Sequence, residues 1–329
     1  MGLFGMSESS QAALATRLAR SRARGRSTWL EPSTKIELRR FAGTRRHAER
    51  LSTPLRIAHL TDLHVGRVTP MRVQMTAVEM VNERRPDLVC ITGDFVCHSQ
   101  AFLDQLGHVI ASIEAPVLGV LGNHDHWSGA NAVRRVLRRA GAEVLDNVHT
   151  VLELRNERLQ VVGLDDAYTG HADWRAATRG MRRDLPTLGL SHIAEESEHL
   201  WRAGASLVLS GHTHAGQVTL ARLNELAIGR LVGHKYIHGL YGSRDAEDAA
   251  GSVYVGAGIG AAVFPLRIGK RARREITLFD LGMEPGSFSE HHEVQTPLKG
   301  RPPSPRTKEK RARAVARKRA RRIAQGHDD

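Results

Sequence analysis

Short apolar runs recur along the middle of this chain with helix-like stretches between them, and this alternation limits the fold more than any other feature. The runs read "LRIAHLT" (55–61), "DLVCIT" (87–92), "PVLGVL" (116–121), "LQVVGL" (159–164), "PTLGLS" (186–191), "ASLVLS" (205–210), "SVYVGA" (252–257) and "EITLFDL" (275–281). Each has the length of a strand. Strands that alternate with amphipathic helices point to a layered α/β domain. The stretch 129–140 predicts one such helix, with Val133, Val136, Leu137 and Ala140 on one face, Ser128 as N-cap and Gly141 as the stop. Ahead of the first run, "TKIELRRF" (34–41) reads as an edge strand.

With 329 residues, 41% of them hydrophobic, the chain can build one large globular domain or two small ones. No uninterrupted apolar run approaches the ~18 to 20 residues that a membrane crossing needs. The first residues lack an apolar core followed by a small-residue cleavage site, and Met6 stands where the myristoylation pattern requires Ser or Thr. The twin arginine of "LRRFAG" (38–43) leads into "TRRHAER" and not into a hydrophobic segment. These features predict a cytoplasmic protein. Cys90 and Cys97, the only cysteines, are expected to be reduced thiols.

The net charge of +13 belongs to the ends. Residues 1–56 carry 12 Lys/Arg against 4 Asp/Glu, and residues 299–329 carry 12 against 3, whereas 57–298 hold 24 against 28. From about 297 a Pro-rich linker gives way to Arg, Lys and Ala, a composition with too little apolar content for a core. The expected organisation is a basic, weakly amphipathic segment over 1–33, a catalytic domain over 34–296 and a basic low-complexity tail over 297–329.

Polar side chains able to bind metal stand just past the ends of five runs. They are Asp62 and His64 in "DLH", Asp94 in "GD", Asn123, His124 and Asp125 in "GNHD", then His192, then His212 and His214 in "GHTH". Each has a plain structural reading, because Asp and Asn open turns and cap helices. Two imidazoles beside glycine are poor core material, and alone "GHTH" permits one chelated ion. Ligands gather at the carboxyl ends of strands in open α/β sheets, so five clusters placed there in succession call for a shared cause.

This ordered set, D-x-H, G-D, G-N-H-D, a lone H and G-H-x-H, resembles the calcineurin-like metallophosphoesterase superfamily over about residues 55–281. The segment from "SVYVGAGIG" to "EITLFDL" is similar to the closing strands of a bacterial branch. That branch holds membrane- or wall-associated phosphodiesterases and hydrolases of UDP-2,3-diacylglucosamine. The resemblance implies a four-layer αββα double β-sandwich, of mixed α/β class, with flexible basic termini. It implies two divalent ions, Mn²⁺ first among Mn²⁺, Fe and Zn²⁺. Asp62, His64 and His214 would hold one ion, Asn123, His192 and His212 the other, and Asp94 would bridge them. Such a pair generates a hydroxide for in-line attack at phosphorus. His124 would protonate the leaving oxygen, with the Asp125 carboxylate orienting its ring. His126, Trp127, His171 and His234 have no place in the motif and are expected at the cleft or surface. Asp165 and Asp166 read as loop caps or cleft residues, His59 as a core residue, and Arg67 as an exposed cation near the cleft. Two departures stand out: His192 is followed by "IAEES", and Ala215 occupies a position where Gly is common.

The expected substrate is a phosphodiester or pyrophosphate, as a phosphorylated small molecule or a lipid-linked compound. The basic ends suit peripheral contact with the anionic inner face of a membrane, and also nonspecific nucleic-acid binding. Two other readings stand beside this one. One is a non-catalytic metal-binding scaffold on the same fold, and the other is a nucleic-acid-associated phosphoesterase guided by its basic ends.

Overall fold

The computed structural model describes residues 35–216, 233–245, 251–261, 273–290 and 294–300, with Arg306, Glu309, Arg313 and Arg317 from the tail. The described residues belong to one unit, 34–329. The weakly amphipathic segment expected over 1–33 and most of the basic tail lie outside the described residues. Among the described residues no helix is long and apolar enough to cross a membrane.

Among the described residues twelve strands form two six-stranded sheets. The first sheet has β1 (Ile36–Ala42), β2 (Leu55–Leu60), β3 (Leu88–Thr92), β4 (Val117–Val120), β5 (Ala142–Val144) and β12 (Arg274–Leu281), in the order β1-β12-β2-β3-β4-β5. The second has β6 (Val148–Leu154), β7 (Glu157–Gly163), β8 (Thr187–Leu190), β9 (Leu207–Ser210), β10 (Gly239–Gly242) and β11 (Ser252–Val255), in the order β10-β11-β9-β8-β7-β6. Strands β2 to β5 run parallel, as do β7, β8, β9 and β11. The principal helices are α1 (Arg45–Arg50), α2 (Met71–Glu83), α3 (Leu103–Ala111), α4 (Asn123–Arg139), α5 (Trp174–Thr178) and α6 (Ser197–Ala203).

The period of two along each strand divides its side chains between two cores. Leu55 and Ile57 of β2 and Leu88 and Cys90 of β3 join Leu159, Val161, Leu188, Leu207 and Leu209 from the second sheet. That core is the seam between the sheets. Their sequence neighbours Ala58, Leu60, Val89 and Ile91 face the other way and pack with Val73, Ala77 and Val81 of α2, Leu106 and Ile110 of α3, and Val133 and Leu137 of α4. On the outer side of the second sheet, Val162, Val208 and Val253 meet Ala177 of α5 and Leu200 of α6. The result is four layers, αββα. Strands whose two faces are both covered must be apolar at every position, which is why these runs are so continuous.

Each of the eight runs holds a strand, and β1 lies at the edge of its sheet as its sequence suggested. Helix α4 differs from expectation. It begins at Asn123, after Gly122, and Gly129 (φ 104°, ψ 81°) breaks it into two segments. Ser128 is therefore inside the first segment and is not an N-cap; its carbonyl accepts a hydrogen bond from Gln100 Nε2 at 2.8 Å. The helix does stop before Gly141, which has φ 91°. Cys90 is buried, Cys97 is half-buried, and neither forms a disulfide.

Candidate metal centre

The parallel strands of both sheets deliver their carboxyl ends to one place. Asp62 and His64 follow β2, Asp94 follows β3, Asn123 follows β4, His192 follows β8, and His212 and His214 follow β9. The chain must turn sharply as it leaves each strand. Asp62 (φ 50°), His64 (φ 43°), Asp94 (φ 53°), His212 (φ 75°) and His214 (φ 50°) all adopt left-handed backbone. That conformation is costly for residues with a Cβ and persists where surrounding bonds over-determine it. Here Asp62 N donates to Gly93 O (3.0 Å) and His64 N to Asp94 O (2.9 Å), while Gly260 N donates to Asp62 O (2.7 Å). Gly93 is itself left-handed, and a Cβ there would stand 2.6 Å from His192 Nδ1.

Two groups of side chains result, and they share Asp94. Asp62, His64, Asp94 and His214 offer ligand atoms within 4.8 Å of one another, and so do Asp94, His192 and His212. Asp94 Oδ2 stands 3.5 Å from His64 Nε2 and 3.4 Å from His192 Nε2, midway between the groups. Its other oxygen accepts the backbone N–H of His124 at 2.9 Å. In the first group His64 Nε2 and His214 Nε2 are 3.0 Å apart, and Asp62 Oδ1 lies 3.3 Å from His214 Nε2. In the second, His192 Nε2 is 3.2 Å from Asn123 Oδ1 and 3.3 Å from His212 Nδ1. His212 and His214, one residue apart, thus fall into different groups.

The donor set fits divalent cations. Asp62 Oδ2 accepts from Thr61 Oγ1 (2.7 Å) and His212 N (3.1 Å), whereas its Oδ1 is buried with no hydrogen-bond partner among the described residues. A buried carboxylate oxygen left over in this way, facing ring nitrogens, is what an ion would satisfy. His192 Nδ1 donates to Thr92 O at 2.7 Å, which fixes the ring and turns Nε2 to the site. Mixed oxygen and imidazole ligands suit Mn²⁺, Fe or Zn²⁺ better than Ca²⁺.

The electrostatics agree. Burial opposes charge on Asp94, but the His192 imidazole beside it outweighs that and holds the carboxyl well below its ordinary range. Burial pushes His64 and His212 well down, so both rings are neutral and keep a lone pair. His192 goes the other way. Burial lowers it, yet Asp94, Asp62 and Asp166 together raise it to about 10. A cation at His192 Nε2 must therefore displace a proton.

His124 borders both groups. Its ring lies 4.7 Å from that of His64, its Nε2 is 3.9 Å from Asp94 Oδ2, and its side chain keeps 12% exposure. Asp125 does not orient it. The Asp125 oxygens accept from Val96 N (3.1 Å) and Gly122 N (2.9 Å), and His124 Nδ1 has no hydrogen-bond partner among the described residues. As the third residue of α4, Asp125 closes the helix start and ties it to the loop after β3. The family resemblance implied the ring as its partner, but the helix turns the two side chains apart.

The remaining candidates are placed as follows. His126 Nε2 meets Asp165 Oδ1 at 2.7 Å and stacks on His171 with centroids 4.0 Å apart. Asp166 caps its own loop through Thr169. His234 pairs with Glu195 at 3.1 Å, and its ring lies 5.2 Å from His212. His59 is buried against Thr92 Oγ1 (2.8 Å), a core residue whose pKa burial lowers to about 3. Arg67 is exposed. Ala215 has φ 51°, the conformation for which Gly is the usual choice. Cys97, Tyr168 and His98 were not singled out for the site from sequence. Cys97 Sγ lies within 4.8 Å of ring nitrogens of His64 and His124, and its position three residues after Asp94 in the same loop was the available signal. Tyr168 gives no such signal, because it arrives from a loop distant in sequence.

The model of the calcineurin-like phosphoesterase family matches residues 55–216, the span that holds every side chain of the two ligand groups. Phosphodiesterase YaeI of Escherichia coli is 29% identical over 240 residues, which cover 70% of this chain and 83% of that protein. An uncharacterized metallophosphoesterase of Aquifex aeolicus is 32% identical over 202 residues, 56% of this chain and 76% of that protein. The UDP-2,3-diacylglucosamine pyrophosphatase LpxG of Chlamydia trachomatis is 27% identical over 216 residues, 50% of this chain and 65% of that protein. With these matches and this arrangement of side chains, the chain belongs to the calcineurin-like phosphoesterase family and is a phosphohydrolase.

Proposed function

We propose that this protein hydrolyses a phosphodiester or pyrophosphate bond with two divalent ions, Mn²⁺ first among the candidates. The observation that carries the reading is Asp94 Oδ2, nearly equidistant from His64 Nε2 and His192 Nε2 at 3.5 and 3.4 Å. Asp62, His64 and His214 would hold one ion and Asn123, His192 and His212 the other, with Asp94 serving both. Bound there, the ions would supply a water of lowered pKa and positive charge against the phosphoryl oxygens.

The chain's own residues do the rest. The Thr61 hydroxyl and the His212 N–H hold Asp62 Oδ2, so that Oδ1 alone faces the centre. Thr92 O fixes the tautomer and tilt of His192. His124, at the border of the two groups and still partly open to solvent, protonates the leaving oxygen from Nε2. Asp125 keeps His124 in place through the backbone and has no direct part in proton transfer.

The substrate class is suggested by two relatives, named as a phosphodiesterase and as a UDP-2,3-diacylglucosamine pyrophosphatase. The catalytic unit would span 34–296. The basic segments 1–33 and 297–329 would hold it reversibly at an anionic membrane face, at about 1 kcal/mol per basic residue near the surface. Purified protein with Mn²⁺ should hydrolyse bis-p-nitrophenyl phosphate, and chelation should stop it; turnover that survives chelation refutes the reading. Removal of 299–329 should weaken binding to anionic liposomes and spare that turnover. Loss of nucleic-acid binding alone would instead assign the tail to nucleic acid.

A further inference from the structure

Among the described residues five large hydrophobic side chains are strongly exposed, and two of them, Trp127 (53%) and Tyr168 (45%), face each other beside the metal centre. Their ring centroids are 6.1 Å apart at 80°. Trp127 lies 4.9 Å from His124 and stacks with His98 at 5.7 Å and 17°. Tyr168 lies 5.3 Å from His212. An arc of rings therefore runs from the His124 side of the centre to the His212 side, with its two largest members open to solvent.

The arc is held in place. Trp127 follows His126, whose Nε2 is fixed to Asp165 Oδ1, and Asp165 Oδ2 is in turn paired with Arg134 at 3.2 Å. Tyr168 N donates to Asp166 Oδ1 (3.2 Å), and Thr169 N and Oγ1 both donate to Asp166 Oδ2 (2.6 Å each). Two adjacent buried carboxylates thus anchor both exposed rings. Exposed aromatic groups on fixed backbone lose little freedom when a ligand covers them, which makes them effective contact surfaces.

We infer that Trp127 and Tyr168 form a platform for a planar aromatic ring carried by the phosphoester. This deepens the hydrolysis reading and rests on it for the position of the phosphoryl group. A phosphorus atom set against the two ligand groups has its organic substituent within reach of the arc, because His212 belongs to one of those groups and His124 borders both. The rings of the arc are indole, phenol and imidazole, so it offers faces and edges for offset or T-shaped stacking. Aryl and nucleoside substituents share that chemistry.

The test is calorimetric titration of the full chain, loaded with Mn²⁺, with phenylphosphonate, a nucleoside 5′-phosphonate and methylphosphonate. None of the three needs turnover. At least one ring-bearing ligand should bind about tenfold tighter than methylphosphonate. A preference for phenylphosphonate alone assigns an aryl substituent, and one for the nucleoside ligand assigns a nucleoside. In Trp127→Ala and Tyr168→Ala the ratio should fall towards one, and Trp127→Phe should restore most of it. Equal affinities for all three ligands, no binding of any, or a ratio that survives Trp127→Ala with Tyr168→Ala overturns the platform. Turnover of bis-p-nitrophenyl phosphate is scored separately. Its absence with the ratio intact removes the hydrolysis reading alone, and its presence without a ratio removes the platform alone.

Discussion

Asp94→Asn tests the shared ligand with the smallest change of shape. The amide keeps an oxygen for the His124 N–H, which Asp94 Oδ1 now accepts at 2.9 Å, and removes the negative charge between His64 and His192. At an effective dielectric near 20, opposite unit charges ~4 Å apart interact by about 4 kcal/mol, close to a factor of a thousand in association. An ion bound to the carboxylate is divalent and nearer than that, so the figure is a floor for each ion. The two ions would also repel each other with less charge between them. Elemental analysis of dialysed wild-type protein should then find two ions per chain, and Asp94→Asn one or none. Hydrolysis of bis-p-nitrophenyl phosphate should fall at least a thousandfold. A variant that holds two ions with near-wild-type turnover, and a wild-type thermal unfolding profile, would show that Asp94 is not shared.

Three further outcomes follow from the geometry. His124→Ala should retain both ions and lose roughly a hundredfold to ten-thousandfold in kcat, measured on the same diester; unchanged kcat removes it as the acid. Asp125→Asn should behave as a structural lesion, with about 1 to 3 kcal/mol lost in chemical denaturation and turnover recovered in proportion to folded protein. Burial and the Asp94 charge raise Asp125 to about 7, so in metal-free protein its contribution is complete below about pH 4 and disappears as pH rises through 7. The variant should flatten that slope, and an intact slope contradicts the assignment. Ala215→Gly relieves a left-handed alanine, so it should leave stability unchanged or raise it by up to about 1 kcal/mol by thermal unfolding. A loss of that size would mean the methyl group's packing outweighs the strain.

Sequence carried the strands of the core because each is covered on both faces, and such strands must be apolar throughout. It did not carry β6, whose "VHTVLEL" lies at a sheet edge with Val148, Val151 and Glu153 open to solvent. Nor did it carry β10, where "GLYG" has two glycines in four residues. The candidate ligands were readable because each follows a strand end, a position that local pattern marks. Partners made in three dimensions were not. Nothing local to "GNHDHW" says that Asp125 reaches Val96 N, or that Trp127 meets a tyrosine from "DDAYTG". The kink at Gly129 was hidden for the same reason: the apolar spacing of the second segment is helical whether or not a first segment precedes it.

The central claim is that His212 and His214 part company, one to each of two ions joined by Asp94. Anomalous diffraction from crystals of the Mn²⁺-loaded protein addresses it directly. The account predicts two peaks about 3.5 to 4 Å apart, one at Asp62, His64 and His214, the other at Asn123, His192 and His212, both touching Asp94. A single peak ligated by His212 and His214 together would contradict it.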